Sequence, residues 1–374
     1  MSYVQSLQLH NFRCYDGAKM DGVVSGLIVL TGPNGAGKTN ILEAVSLLTP
    51  GRGLRSAGND EIQKKDARAP WAIASVVETG GAEVRIGTGP EEGGGKRAVR
   101  INGANAKNQI ALSDYLSCIW LTPQMDRLFL DSSGGRRRFF DKLIFAFDPG
   151  HAGRVTRYEN AMAQRSKLLR EGKGDDHWLK ALEAQMAETG IAIAAARLDF
   201  AARLQTACDM AHEREETFFP KALLRLSGTI EELLSKSPAV EVEEMFSYQL
   251  KQSRPRDADT GGAATGPHKG DLLVRYAAKN MPADQCSTGE QKALLIGIIL
   301  AHARLMRAER GAPPVLLLDE VAAHLDENRR AALFDLLSGL GGQVWMTGTD
   351  ETLFSAARKR AQFWGVNDAE ITKK

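Results

Sequence analysis

The sequence is poor in cysteine. Its 374 residues contain four, at Cys14, Cys118, Cys208 and Cys286, and no two stand at the spacing of a metal-ligand or redox pair. A disulfide framework belongs to small secreted domains and is not expected in so large a chain. The four read instead as small buried hydrophobes. Long apolar runs are lacking too. The longest candidate, residues 293–300, is soon interrupted by His302 and Arg304, well short of the ~20 residues that span a bilayer. The opening Met-Ser-Tyr-Val-Gln shows no basic region followed by an apolar one, so no secretory signal is read. Together these absences give the expectation of a cytoplasmic protein without a membrane partner. A strong charge of one sign is also missing. The net charge is +2, so any nucleic-acid surface must be a local patch.

The chain has what a folded protein needs. Hydrophobic residues make up 43% and charged residues 25%, too apolar a mixture for disorder. The length suits one large or two ordinary domains. Residues 4–12 alternate apolar and polar side chains and predict a strand. Leu27-Ile28-Val29-Leu30 predicts a buried strand, and residues 40–48 carry Ile41, Leu42, Val45 and Leu48 at helical spacing. Residues 71–78, 82–88 and 97–102 read as an antiparallel meander appended to the buried strand, with turn signals between them. Residues 154–170, 178–206 and 213–224 read as helices, and residues 253–267 as a loop. After residue 280, α/β character returns. It runs through a helix from Glu290, a strand at 315–318, a helix after Asp326 and a strand at 343–346. The expected organisation is α/β. Residues 1–125 and 281–374 form two halves of one domain around a helical insertion at 126–280.

Three segments carry chemistry. Gly32-Pro33-Asn34-Gly35-Ala36-Gly37-Lys38-Thr39 fits G-x-x-x-x-G-K-[ST] between a strand and a helix. Its glycines let backbone N–H groups curl around phosphate oxygens in front of a helix N-terminus. Lys38 is placed to reach the β- and γ-phosphates of ATP, and Thr39 to offer its hydroxyl to Mg²⁺. The apolar run Val315-Leu316-Leu317-Leu318 ends in Asp319-Glu320. Beside a phosphate loop, Asp319 would hold Mg²⁺ and Glu320 would act as general base toward water. Ser287-Thr288-Gly289-Glu290-Gln291 opens a helix. From the residues alone it is either an ordinary cap or a second anion site completed across a two-fold axis.

The order of these segments resembles that of ABC-type ATPases. By that resemblance Ser287, Gly289 and Gln291 belong to a signature turn serving the partner copy's nucleotide. His324-Leu325-Asp326 marks the D-loop, with Asp326 as its aspartate. Gln124, in Leu121-Thr122-Pro123-Gln124, sits where a Q-loop residue would join the lobes and touch Mg²⁺, though a plain loop glutamine reads equally well. Thr347-Gly348-Thr349 sits where a switch residue is carried, or is an ordinary turn.

Leu9-His10-Asn11-Phe12-Arg13-Cys14-Tyr15 is similar to the opening of the SMC-like branch. Arg136-Arg137-Arg138-Phe139-Phe140-Asp141, Thr265-Gly266-Pro267-His268 and Cys286 to Gln291 narrow the resemblance to the RecF family, over essentially the whole chain. One departure stands out. After His268 the family usually continues Arg-Asp-Asp, and here the residues are Lys269-Gly270-Asp271. About 250 residues separate the phosphate loop from Ser287, with breakers such as Gly172, Pro220 and Pro238, so no long coiled coil fits. The fold class implied is an ABC-type P-loop ATPase head with an inserted helical lobe.

The implied function is an ATP-gated homodimer acting at gapped DNA. It would be a weak ATPase that helps RecR- and RecO-like mediators load recombinase. The alternative is the ATP-binding subunit of a membrane transporter. Residues 126–170 hold ten Arg and Lys against five Asp and Glu, a candidate DNA footprint that includes Arg154, Arg157 and Arg165. Residues 213–244 hold eight acids against four bases. Both stretches could equally be solvated faces, and Arg136 to Arg138 could pair with acids inside the helical lobe.

Overall fold

The computed structural model describes the whole chain except Glu92, Gly94, Lys173, Gly174, residues 214–217, His324 and the side chains of residues 212 and 213. His324 of the expected D-loop therefore lies outside the described residues. The chain forms two compact units. One holds Met1–Asp126 and Ile299–Lys374, and the other holds most of the chain from Arg127 to Ile298.

In chain order the first unit opens with β1 (Ser2–Phe12), β2 (Tyr15–Met20), β3 (Leu27–Thr31) and α1 (Lys38–Ser46). The single turn α2 (Asn59–Ile62) precedes β4 (Ala72–Thr79), β5 (Ala82–Pro90), β6 (Arg97–Ile101), β7 (Ala104–Asn105) and β8 (Cys118–Leu121). The second unit supplies α3 (Ser133–Phe147), α4 (Gly150–Glu171), α5 (Asp176–Glu213), β9 (Ala222–Ser227) and α6 (Thr229–Leu234). It continues through α7 (Ala239–Gln252), α8 (Arg254–Thr260), β10 (Asp271–Tyr276) and β11 (Met281–Pro282). Helix α9 (Thr288–Arg310) starts in the second unit and ends in the first. Finally β12 (Val315–Leu318), α10 (Glu327–Gly339), β13 (Val344–Gly348), β14 (Ala361–Asn367) and β15 (Glu370–Lys373) complete the first unit.

The first unit contains two six-stranded sheets. One runs β15-β14-β3-β13-β12-β8, parallel except for β15. Every residue of β3, β12 and β13 is buried, which explains the apolar runs at residues 27–30, 315–318 and 344–346. The other sheet runs β2-β1-β4-β5-β6-β7 and is antiparallel throughout. The meander therefore belongs to a separate sheet with β1 and β2 and is not an extension of the β3 sheet. Pairing of β1 with β4 draws it there, from Ser2 opposite Thr79 to His10 opposite Ala72. One core cluster joins the two sheets through α1, with Val4 and Leu7 of β1, Ile41 and Val45 of α1, and Ile28 and Leu317. Buried Gln343 fastens the same join. Its Nε2 donates to the Val4 and Val24 carbonyls at 2.8 Å each, and its Oε1 accepts from the Val4 N–H at 2.9 Å.

The second unit packs its helices with the three-stranded antiparallel sheet β11-β10-β9. Two expectations are corrected here. Residues 213–224 are not one helix, since Ala222–Ser227 is drawn into the sheet by β10. Residues 253–267 are not all loop. They contain α8, whose Pro255 stands in the first turn, where its missing N–H costs nothing. The chain passes back into the first unit at Ile299, within α9, while β11 pairs with β10 in the second unit. Among the described residues no helix is long and apolar enough to cross a membrane.

Candidate nucleotide site

The phosphate loop leaves β3 through two glycines that no other residue could replace. Gly32 has φ 156°, and a Cβ there would lie 1.9 Å from the Val366 carbonyl oxygen of neighbouring β14. Gly37 has φ 111°, and its Cβ would meet the Tyr15 hydroxyl at 2.6 Å and Cys14 Sγ at 2.8 Å. The Tyr15 hydroxyl instead donates to the Gly37 carbonyl at 3.1 Å, which fixes the loop's last peptide. Helix α1 then starts at Lys38 with no side-chain cap and no acid in its first turn. Its leading N–H groups are thus left to an anion. Pro33, Asn34 and Gly35 are exposed at the mouth of this cradle, while Ala36 and Gly37 are buried beneath it.

Lys38 is buried, and its Nζ donates to the Gly32 carbonyl at 2.6 Å and the Pro33 carbonyl at 2.7 Å. Burial lowers its pKa, opposed by the charges of Glu320 and Asp319. The ammonium is thus curled over the loop it serves, within a protein environment that disfavours bare positive charge.

Asp319 follows β12, and its N–H donates to the Leu121 carbonyl of β8 at 2.8 Å. Its carboxylate receives the Thr39 hydroxyl at 3.0 Å to each oxygen and the Thr347 hydroxyl at 2.6 Å. Glu320 comes next, with a left-handed backbone at φ 51°. Gln124 lies three residues beyond the end of β8 and is exposed. Loop, Thr39, Asp319 and Glu320 are therefore gathered at the carboxyl ends of β3 and β12, where ligands bind in open α/β sheets. Among the described residues no three His, Cys, Asp or Glu side chains cluster as a protein-only metal site would. A hydroxyl and a carboxylate, the pair Thr39 and Asp319, would fit an ion such as Mg²⁺, which takes few protein ligands and completes its shell with phosphate oxygens and water.

Ser287, Gly289 and Gln291, expected as a signature turn, lie in the second unit's part of the chain. The Ser287 hydroxyl donates to Glu290 Oε2 at 2.9 Å, the Ser287 N–H donates to the same oxygen at 2.9 Å, and the Glu290 N–H returns to Ser287 Oγ at 3.4 Å. That is a capping box for α9. An ion pair with Lys279 and the Ser287 donors draw the Glu290 pKa down to about 2. Gln291 is buried, with Nε2 donating to the Cys286 carbonyl at 2.8 Å. Ser287 is exposed, and around Gly289 there is open space. Asp326 caps α10 by accepting from the Arg329 N–H at 2.8 Å. Both segments thus have a structural job that stands independent of any ligand.

A family model for the RecF/RecN/SMC N-terminal domain matches residues 3–372. The chain belongs to the RecF/RecN/SMC N-terminal domain family. It is 48% identical over 372 residues to the DNA replication and repair protein RecF of Mesorhizobium japonicum, covering 99% of this chain and 97% of that protein. It is 49% identical over 370 residues to the protein of the same name from Rhizobium etli, covering 98% and 97%. Among solved structures, the recombination mediator protein RecF with ATPrS in the RecFOR pathway aligns with TM-score 0.87 at 21% identity, covering 100% of this chain and 98% of that one. A Pyrococcus furiosus Smc head domain with an extended coiled coil, bound to the C-terminal domain of ScpA, aligns at TM-score 0.56 and 16% identity, covering 100% and 96%. The chain therefore shares the α/β fold of the RecF and Smc head structures, and the likenesses favour that family over the transporter alternative.

Within this family fold the arginines sort differently from their sequence pattern. Arg165 does not face solvent. It is fully buried, pairing with Glu183 at 2.9 Å and Asp257 at 2.7 Å. Its charge is consumed inside the helical unit, so it cannot belong to a DNA surface. Arg154 is half-buried and pairs with Asp148, while Arg157 is exposed. Arg136 makes a bidentate pair with Asp271, at 2.8 and 2.6 Å, and Arg137 donates to the Gly270 carbonyl. The departing segment Lys269-Gly270-Asp271 is thus fastened by the arginine run. A Cβ at Gly270 would lie 2.8 Å from Glu231 Oε1, so a side chain there would have to displace that carboxylate. Tyr15 is a site residue that its sequence context does not single out, and Thr347 is legible there only as a switch position or an ordinary turn, not as a partner of Asp319. Each acts through one hydroxyl on a backbone or carboxylate far away in the chain.

Proposed function

We propose that this chain is an ATP-dependent DNA-binding protein of recombinational repair, a cytoplasmic ATPase whose two copies close on nucleotide at gapped DNA. The observation that carries the proposal is the phosphate cradle Gly32–Thr39 set against Asp319 and Glu320, in a chain alike from end to end to proteins named for DNA replication and repair. Lys38 neutralises the β- and γ-phosphates once it turns from its carbonyls. Thr39 and Asp319 would hold Mg²⁺, with Gln124 at its margin. When bound, the ion screens the charge that develops on the transferred phosphoryl group. Glu320 takes the proton from the attacking water. Ser287 and Gly289, with Asp326, serve the nucleotide of the second copy, and mediator proteins of the RecO and RecR kind are the implied partners. Residues 1–125 and 281–374 are read as the ATPase lobe and residues 126–280 as the helical lobe.

The test is DNA binding with and without a non-hydrolysed ATP analogue, read together with mass. An analogue-dependent rise in both is expected, and a monomer that binds DNA equally well in either state overturns the reading. Two variants sharpen it. Ser287→Arg should leave nucleotide binding within about threefold of the parent, because Ser287 serves the other copy, while the analogue-driven dimer disappears from light scattering. A dimer that persists in this variant sinks the shared site.

With Arg165 assigned to the interior, Arg157, Lys167 and Arg170 are the exposed bases of α4. Reversing these three should weaken binding to all DNA sequences alike. If each neutralises one phosphate, the slope of log affinity against log salt should flatten by roughly 2–3. Parental binding at several salt concentrations places the footprint elsewhere.

A further inference from the structure

We propose that Thr347 is a positioning residue for hydrolysis, holding both the metal-binding carboxylate and the general base through one hydroxyl. The proposal rests on the reading of the site as an ATPase. Strand β13 lies between β3 and β12 in the sheet, with Thr347 opposite Leu30 of β3 and Met346 opposite Leu318 of β12. Its side chain is fully buried. The hydroxyl donates its hydrogen to Asp319 Oδ1 at 2.6 Å and accepts the Glu320 N–H at 2.8 Å. It is satisfied on both sides by two consecutive residues of the reacting edge.

The arrangement has a physical purpose on each side. Glu320 stands at φ 51°, a backbone that a residue with a side chain rarely adopts and holds only when its surroundings enforce it. The bond from its N–H to Thr347 is one such constraint, and it aims the peptide that carries the base. Asp319 has two hydroxyl donors, Thr39 and Thr347. Thr39 is the one expected to turn its oxygen to the metal. Thr347, buried behind the edge, keeps its bond whatever Thr39 does, so the carboxylate stays in one orientation as the ion arrives. A valine at 347 would fill the same volume and lose both bonds. A serine would keep both and lose only a methyl group.

The experiment compares Thr347→Val and Thr347→Ser in the full chain. It measures ATP affinity with and without Mg²⁺ by calorimetry, and turnover against Mg²⁺ concentration. Thr347→Val should bind Mg²⁺-free ATP like the parent. It should need several-fold more Mg²⁺ for half-maximal turnover and lose at least tenfold in kcat with little change in KM. Thr347→Ser should recover most of both. Parental kcat and Mg²⁺ requirement in Thr347→Val overturn the proposal. So does a Thr347→Ser variant as impaired as Thr347→Val while both melt like the parent, since packing would then explain the loss. A parental chain that binds no ATP removes the ATPase reading itself and this proposal with it. Parental binding and turnover alongside an unaffected valine variant remove only the proposal.

Discussion

Replacing Lys38 with alanine should cost about two to four orders of magnitude in ATP affinity, measured by calorimetry, and leave the fold intact. The size follows from what the ammonium does. Contacts to two phosphate groups are charge-assisted hydrogen bonds, each worth about 1.5–3 kcal/mol, and each 1.4 kcal/mol is tenfold in affinity. No other side chain in Gly32–Thr39 is positively charged. The structural cost is small by comparison. The bonds lost within the protein run to the carbonyls of Gly32 and Pro33, at a loop whose next residues are exposed. Burial already lowers the Lys38 pKa, so the ammonium gains most when phosphate supplies the compensating charge. A melting temperature near the parental one, beside lost binding, separates the two effects. Nucleotide affinity within threefold of the parent would remove Lys38 from the site.

Part of this fold is legible in the chain and part is not, and the division follows the range of the interactions. Strands β3 and β12 are buried on every residue, so they read as continuous apolar runs with well-placed ends. Strand β8 has only the four residues Cys118–Leu121, and β14 interleaves Gln362, Gly365 and Asn367 with its apolar residues. Neither carries a pattern of its own. Pairing makes them strands, β8 with β12 and β14 with β3, across most of the chain's length. The meander strands are legible one by one through their alternation. Their place in a second sheet is not, because it depends on β1. Helix α8 lies in the segment 253–267, which reads as loop from its Gly, Asp and Pro content. Yet Asp257 within it closes a buried cluster, accepting from Arg165 at 2.7 Å and from the Ser253 hydroxyl at 2.6 Å.

The same distinction runs through the site. A phosphate loop is local, since its glycines, lysine and threonine are consecutive and their spacing carries the chemistry. Ser287 to Glu290 is legible as a helix start, and the capping box appears as written. Whether that cap also receives a phosphate depends on a second copy, about which one chain's sequence is silent. Arg165 shows the opposite failure. On a helical wheel it joins Arg154 and Arg157, but its partners Glu183 and Asp257 lie 18 and 92 residues further on. A count of charges cannot distinguish a cation facing solvent from one consumed by acids of the same unit.

Glutamine at position 320 should slow ATP turnover by about 10²–10⁴-fold while nucleotide binding stays within about threefold of the parent. Glutamine keeps the shape of glutamate and its backbone N–H, so the bond to the Thr347 hydroxyl at 2.8 Å survives and the left-handed turn is still held. What disappears is the oxygen that accepts water's proton, and only the hydrolytic step needs it. The loss corresponds to about 3–5 kcal/mol of barrier. Slower hydrolysis lengthens the life of the ATP-bound form. A ligand held by both copies favours their association, and at a hundred times its dissociation constant it contributes about 2.7 kcal/mol. The variant should therefore accumulate as an ATP-dependent dimer, visible by light scattering, where the parent cycles back to monomer. DNA retention should rise with it, since two basic patches then act together. Turnover at the parental rate would show that Glu320 is not the base. Slowed turnover without a dimer would leave the base in place and sever hydrolysis from association.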